Sequence, residues 1–227
     1  MAANTDIESL LTELRSLANA ENVAGMARFG IIGDNLLGIS VDQLRTIAKR
    51  IGRNHAMACG LWASGLFEAR ILAAFVAEPA KVTRREATSW ANDFENWADC
   101  DGLCIHLFRK TPFAHELAVT WSRRRGEMIK RAGFTMMATL AVHDKQAGDE
   151  VFCDYLDRVI QESCDERHNV KKGVNWALRQ IGKRNRRLNR TAIRVAKDIQ
   201  QQDSRAARWI ASDALRELKK WKPKKAL

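Results

Sequence analysis

Helix breakers are scarce in this 227-residue sequence, which contains three prolines and 13 glycines. That shortage suits long helices joined by short loops. Tyrosine occurs once, and runs rich in Val, Ile and Thr are few, which excludes a large β-sheet. No apolar run reaches the ~20 residues that a membrane span requires, and the first residues do not read as a signal sequence. The G-x-x-x-x-G-K-[ST], H-E-x-x-H and Gly-rich dinucleotide patterns are missing, which removes the commonest nucleotide-binding and metalloprotease chemistries. The five cysteines (Cys59, Cys100, Cys104, Cys153 and Cys164) form an odd set without paired spacing. A reducing compartment and a soluble cytoplasmic protein are therefore expected. Cys100-x3-Cys104-x-His106 offers no fourth ligand and makes a poor zinc signature. Neither a metal nor an organic cofactor is expected.

What is present is a folded, strongly basic chain. Hydrophobic residues make up 46% and charged residues 29%, a balance that excludes intrinsic disorder. The net charge of +11 is unevenly distributed. Residues 167–227 hold 19 Lys+Arg against 4 Asp+Glu, leaving 19 basic and 23 acidic residues for the rest. A basic end on a mildly acidic body is the footprint of a polyanion-binding face.

The apolar spacing follows a helical period throughout and predicts thirteen helices, near 5–18, 22–30, 40–52, 54–64, 67–77, 83–95, 98–109, 113–123, 126–142, 148–163, 167–182, 188–201 and 204–221. Thr5, Ser40 and Asn54 stand where N-caps belong, and Pro79 and Pro112 interrupt the pattern. The stretches EARILAAF (68–75), IKRAGFTMM (129–137), VKKGVNWAL (170–178) and AARWIASDAL (206–215) share a basic residue followed by small and large apolar positions. Arg131, Lys172 and Arg208 mark the last three at 36–41-residue intervals, close to the HEAT or armadillo period. The expected fold is all-α: a single domain over 1–227, forming an α-solenoid of antiparallel helix pairs with a basic concave face. Residues 220–227 are expected to be a flexible basic tail.

Within the basic end, Val170, Val174, Ala177, Leu178 and Ile181 fall on one stripe of a helix, at ~100° per residue. Lys172, Trp176, Arg179 and Lys183 cluster opposite. An aromatic plate among cations suits a sugar or base beside phosphates, although a Trp half-buried against a neighbouring helix is the plainer alternative. The last helix sets Ile210, Ala214, Leu218 and Trp221 inward and Arg205, Arg208 and Arg216 outward. GKRNRRLNR (182–190), which includes Arg184, reads as a donor-rich loop. In NWADCDGLC (96–104), Trp97 and Asp101 are four apart and share a helix face. An aspartate is costly near phosphate, so it either does chemistry or caps a helix. Arg131 lies opposite the stripe Met128, Ile129, Ala132, Met136 and Leu140, available to a phosphate or a structural ion pair.

These residues resemble the HEAT-like-repeat DNA alkylation repair proteins, the AlkD-type alkylpurine DNA glycosylases. The likeness runs from RFGI (28–31) through EARILA (68–73) to ARWIASDALREL (207–218). Its most specific pieces are Trp-x3-Asp at Trp97 and Asp101, KRAGF around Arg131, and VKKGVNWALRQIGKRN around Trp176. The resemblance implies catalytic roles for Asp101, Trp97, Trp176 and Arg131. It also implies a monomer acting on double-stranded DNA that carries cationic N3- or N7-alkylated purines. Phosphate contacts are expected from Lys172, Arg179, Lys183, Arg184, Arg205, Arg208 and Arg216. Asn96 and Ala98 depart from the acids or aromatics that often flank the first tryptophan in that family. Two rival readings stay open: a non-catalytic relative that binds damaged or branched DNA, and a helical scaffold for a protein partner.

Overall fold

The computed structural model describes residues 6–223. Among them lie thirteen α-helices and no strand: α1 (Ile7–Ser16), α2 (Ala20–Ala27), α3 (Val41–Ile51), α4 (His55–Ala63), α5 (Phe67–Val76), α6 (Arg84–Asn92), α7 (Trp97–His106), α8 (Ala114–Ser122), α9 (Glu127–His143), α10 (Asp149–Glu162), α11 (His168–Gly182), α12 (Arg186–Gln200) and α13 (Arg205–Leu218), with a 3-10 turn at Phe108–Lys110. No helix among them is long and apolar enough to cross a membrane. Ser40 caps α3 through a reciprocal box with Gln43, and Asn54 caps α4 by accepting from Met57 N at 2.9 Å. The Thr5 cap and the end of the basic tail (224–227) lie outside the described residues. The stretch 182–190, expected to be a loop, is largely the start of α12. Asn185 accepts from Leu188 N and opens that helix two residues earlier than the apolar spacing indicates.

The contacts sort into two compact units, divided in sequence between Pro112 and Phe113. The first holds α1–α7. Its α5 is buried on nearly every side, packing against α3, α4 and α7. Trp62 of α4 and Trp90 of α6 stack at 4.7 Å, with Phe94 edge-on to Trp62. Glu68 of α5, 1% exposed, is one of the acids buried in this unit. Its carboxylate accepts from the amides of Leu37 (2.8 Å) and Gly38 (2.6 Å) and so pins the loop that precedes α3. Gly38 has φ +75°, and a Cβ there would come within 2.3 Å of Asn19 O, so the pinned turn requires glycine.

The second unit is organised around α9, which packs between α8 and α11. With a neighbour on either side, α9 is buried from Ile129 to Ala141 apart from Lys130, as expected of a helix enclosed by others. That enclosure takes in Arg131, which lies opposite the expected stripe and is 7% exposed. Its guanidinium donates to Asn169 O of α11 at 3.1 Å. The core stripe expected on α11 is found, with Val170, Val174, Ala177, Leu178 and Ile181 all buried.

Small residues set the spacing of these helices. A Cβ on Gly133 would stand 2.2 Å from Ser122 N and 2.7 Å from Ser122 Cα, both backbone atoms of α8. Gly133→Ala therefore forces α8 and α9 apart and is expected to cost about 1–3 kcal/mol, as overpacking does. Gly25 of α2 has open space around it, so Gly25→Ala is expected to stabilise by about 0.5–1 kcal/mol through helix propensity. Thermal melts of the two variants should move in opposite directions. An unchanged or raised melting temperature for Gly133→Ala would contradict the close α8–α9 approach.

Candidate nucleic-acid site

In the N-terminal unit the candidate residues are built on the start of α7. Asn96 is its N-cap and accepts from Ala98 N (2.9 Å) and Asp99 N (3.3 Å). That role accounts for the asparagine beside Trp97. Asp99, 1% exposed, completes the box by accepting from the amides of Glu95 (3.0 Å), Asn96 (3.2 Å) and Cys100 (2.7 Å). Burial pushes its carboxyl up to about 6, against the downward pull of those three donors. The amides left over at the helix start are thus taken by Asn96 and Asp99. Asp101 is not the capping acid.

Asp101 instead lines a groove of about 860 Å³ in the N-terminal unit, together with Trp97. The groove is walled by Met26 of α2, Phe29, Ile31 and Phe67. Trp97 is 37% exposed, and its indole Nε1 donates to Phe29 O at 2.8 Å, so the ring is held by one edge with part of its surface uncovered. Phe29 is 70% exposed, unusual for a phenylalanine unless something covers it. The site therefore sets a carboxylate within a largely apolar recess. Sequence periodicity found the Trp97–Asp101 face but missed the recess, because its walls come from separate elements: Met26 of α2, Phe29, Ile31 and Phe67 of α5.

The C-terminal unit carries its own set of candidate residues. Trp176 is half-buried on α11; with the Gln180 amide turned over, its oxygen accepts from Trp176 Nε1 (3.1 Å) and Lys183 Nζ (3.2 Å). The seven cations expected to contact phosphate separate into three groups. Lys172 and Arg205 are exposed and have no ion pair among the described residues; the Lys172 ammonium lies 4.9 Å over the Trp209 ring. Arg179 and Lys183 are instead bound to Glu217 of α13 at 2.6 and 2.5 Å, while Arg216 pairs with Asp213 and Arg208 with Asp203. These four remain near the surface with their charge partly compensated. Arg184 turns inward: it donates to Ala141 O (3.0 Å) and Ala147 O (2.8 Å) and covers Phe152 at 4.2 Å. Through these contacts it straps its helix to its neighbours.

Glu217, which compensates Arg179 and Lys183, was invisible to a single-helix projection because it stands on the neighbouring helix. The same projection, with 182–190 read as a loop, also missed a cationic stripe on α12. Arg186, Arg190, Arg194 and Lys197 are exposed there without an ion pair among the described residues. Their spacing of three to four residues would have disclosed a shared face.

The chain belongs to the DNA alkylation repair enzyme family, whose model matches residues 10–218. A solved structure that matches it is described as a new family of proteins related to the HEAT-like repeat DNA glycosylases with affinity for branched DNA structures. The two share 19% identity over 97% of this chain and 99% of that one, with a TM-score of 0.78. The fold is thus the HEAT-like α-solenoid expected from the repeat. No match is found among curated proteins.

Half-burial of Trp176 gives a two-sided expectation. Trp176→Ala should cost no more than about 1 kcal/mol of stability, as at other surface positions. It should weaken DNA binding by about 10-fold, within the range for losing an aromatic platform. A stability loss of several kcal/mol with DNA binding intact, measured by denaturant melts and binding isotherms, would mark Trp176 as a packing residue.

Proposed function

We propose that the protein is a monofunctional DNA glycosylase that hydrolyses the N-glycosidic bond of cationic N3- and N7-alkylpurines in duplex DNA. The observation that carries this reading is the placement of Trp97 and Asp101 in one apolar groove, with the capping work of α7 done by Asn96 and Asp99. Alkylation at N3 or N7 leaves the purine positively charged. When the C1′–N bond breaks, its electron pair neutralises the departing base, so the leaving group needs no acid from the protein. The sugar left behind is oxocarbenium-like. Asp101 stabilises that charge and steers water to C1′, and the water proton passes to the carboxylate or to solvent. The products are a free alkylpurine and an abasic site. Trp97, beside Asp101 in the groove, supplies a π face for the cationic sugar; in the C-terminal unit Trp176 offers an aromatic platform, and Lys172, Arg205 and the α12 stripe supply phosphate contacts. The reaction calls for no cofactor and no second subunit.

A second reading, a DNA-binding relative without excision activity, draws support from the described affinity of the structural neighbour's family for branched DNA. Asp101→Asn separates the two. Removing a negative charge near phosphate should leave binding to undamaged duplex equal or tighter. Single-turnover release of 3-methyladenine and 7-methylguanine should fall roughly 10²-fold or more, the scale of losing a preorganised electrostatic group. Equal excision by variant and wild type would remove Asp101 from the mechanism.

A further inference from the structure

Away from the groove, the N-terminal unit brings three metal-ligating side chains together. His55 is the first residue of α4, Cys59 follows one turn later on the same face, and Glu86 lies in the first turn of α6. His55 Nε2 stands 3.2 Å from Glu86 Oε2, and Cys59 Sγ 3.1 Å from Glu86 Oε1. One ligand atom from each of the three falls within 4.8 Å of the other two. The His55 and Glu86 side chains keep 16% and 21% exposure, so the cluster can be reached from solvent. His55 Nδ1 is buried and has no hydrogen-bond partner.

We propose that His55, Cys59 and Glu86 form a binding site for one divalent cation of the zinc class, clamping α4 to α6. An imidazole nitrogen, a thiolate and a carboxylate oxygen are the donors that zinc takes, at about 2.0–2.3 Å in a tetrahedron. Donors at those lengths lie about 3.3–3.5 Å apart, close to the two separations seen here. Calcium and magnesium prefer all-oxygen shells, so a sulfur and a nitrogen among three donors select against them. The scaffold is fixed before any ion arrives. Asn54 caps α4, and Thr83 caps α6 in a reciprocal box with Glu86, so little ordering is needed on binding. His55 presents Nε2 to the site, the ring nitrogen already beside Glu86. On binding, the Cys59 proton leaves to solvent and water takes the fourth position. None of the three residues lines the Trp97–Asp101 groove, so the proposal stands apart from the glycosylase reading.

Cobalt reports the site directly, because a bound thiolate gives a ligand-to-metal absorption in the near ultraviolet. Untagged, chelator-treated full-length protein titrated with Co2+ should show one such band per chain, bleached by added Zn2+. Cys59→Ser should abolish the band, and His55→Ala should weaken zinc affinity by at least about 100-fold in a competition against a chromophoric chelator. Cys164→Ser, at an exposed thiol on another helix pair, should leave both unchanged. Should Cys59→Ser lack the native circular dichroism spectrum, Glu86→Gln gives the affinity readout in its place. No thiolate band in wild type, or a band that survives Cys59→Ser, would overturn the site and leave the cluster as hydrogen bonds to Glu86.

Discussion

A buried carboxylate ties the loop before α3 to the core of the N-terminal unit. Glu68 sits in the apolar interior of α5, where an unpaired acid would be costly. Its oxygens are occupied by the Leu37 and Gly38 amides. That pairing pins the loop between α2 and α3, and the loop carries the apolar wall formed by Phe29 and Ile31. The carbonyl of Phe29 in turn takes the indole of Trp97. A single buried acid thus links the α5 core to the tryptophan and, one turn along α7, to Asp101.

In the C-terminal unit, proximity of opposite charges limits what net charge predicts. The sequence after residue 166 is strongly basic, yet two of its four acids, Asp213 and Glu217, face α11 and compensate Arg179, Lys183 and Arg216. Such pairs are partly exposed, and each contributes little to stability. They nonetheless lower the local potential that a phosphate would meet. Lys172, Arg205, Arg186, Arg190, Arg194 and Lys197 are exposed without such compensation among the described residues.

Much of this fold was legible in the sequence, because helical period and cap residues are local. Thirteen helices were expected and thirteen lie among the described residues, and the inward stripe of α11 was read residue by residue. The pairing of Trp97 with Asp101 followed from their spacing of four. Features that depend on a neighbouring helix were not legible. Enclosure of α9 between α8 and α11 buried Arg131, and the turn of Arg184 toward the Ala141 and Ala147 carbonyls depends on where those helices end. The groove's walls come from separate elements, so no single helical period discloses it. Which of two acidic residues capped α7 was equally hidden, since Asp99 and Asp101 differ in role only once Asn96 fixes the helix start.

The central claim is that this cationic, groove-bearing helical protein removes bases whose leaving group already carries positive charge. The most direct measurement is chromatography of the free bases released when wild-type protein is incubated with methylated duplex DNA. The account predicts that 3-methyladenine and 7-methylguanine appear in the soluble fraction above the spontaneous rate, while neutral methylated bases stay in the polymer. Tight binding of the same duplex with no free base above that rate would contradict it.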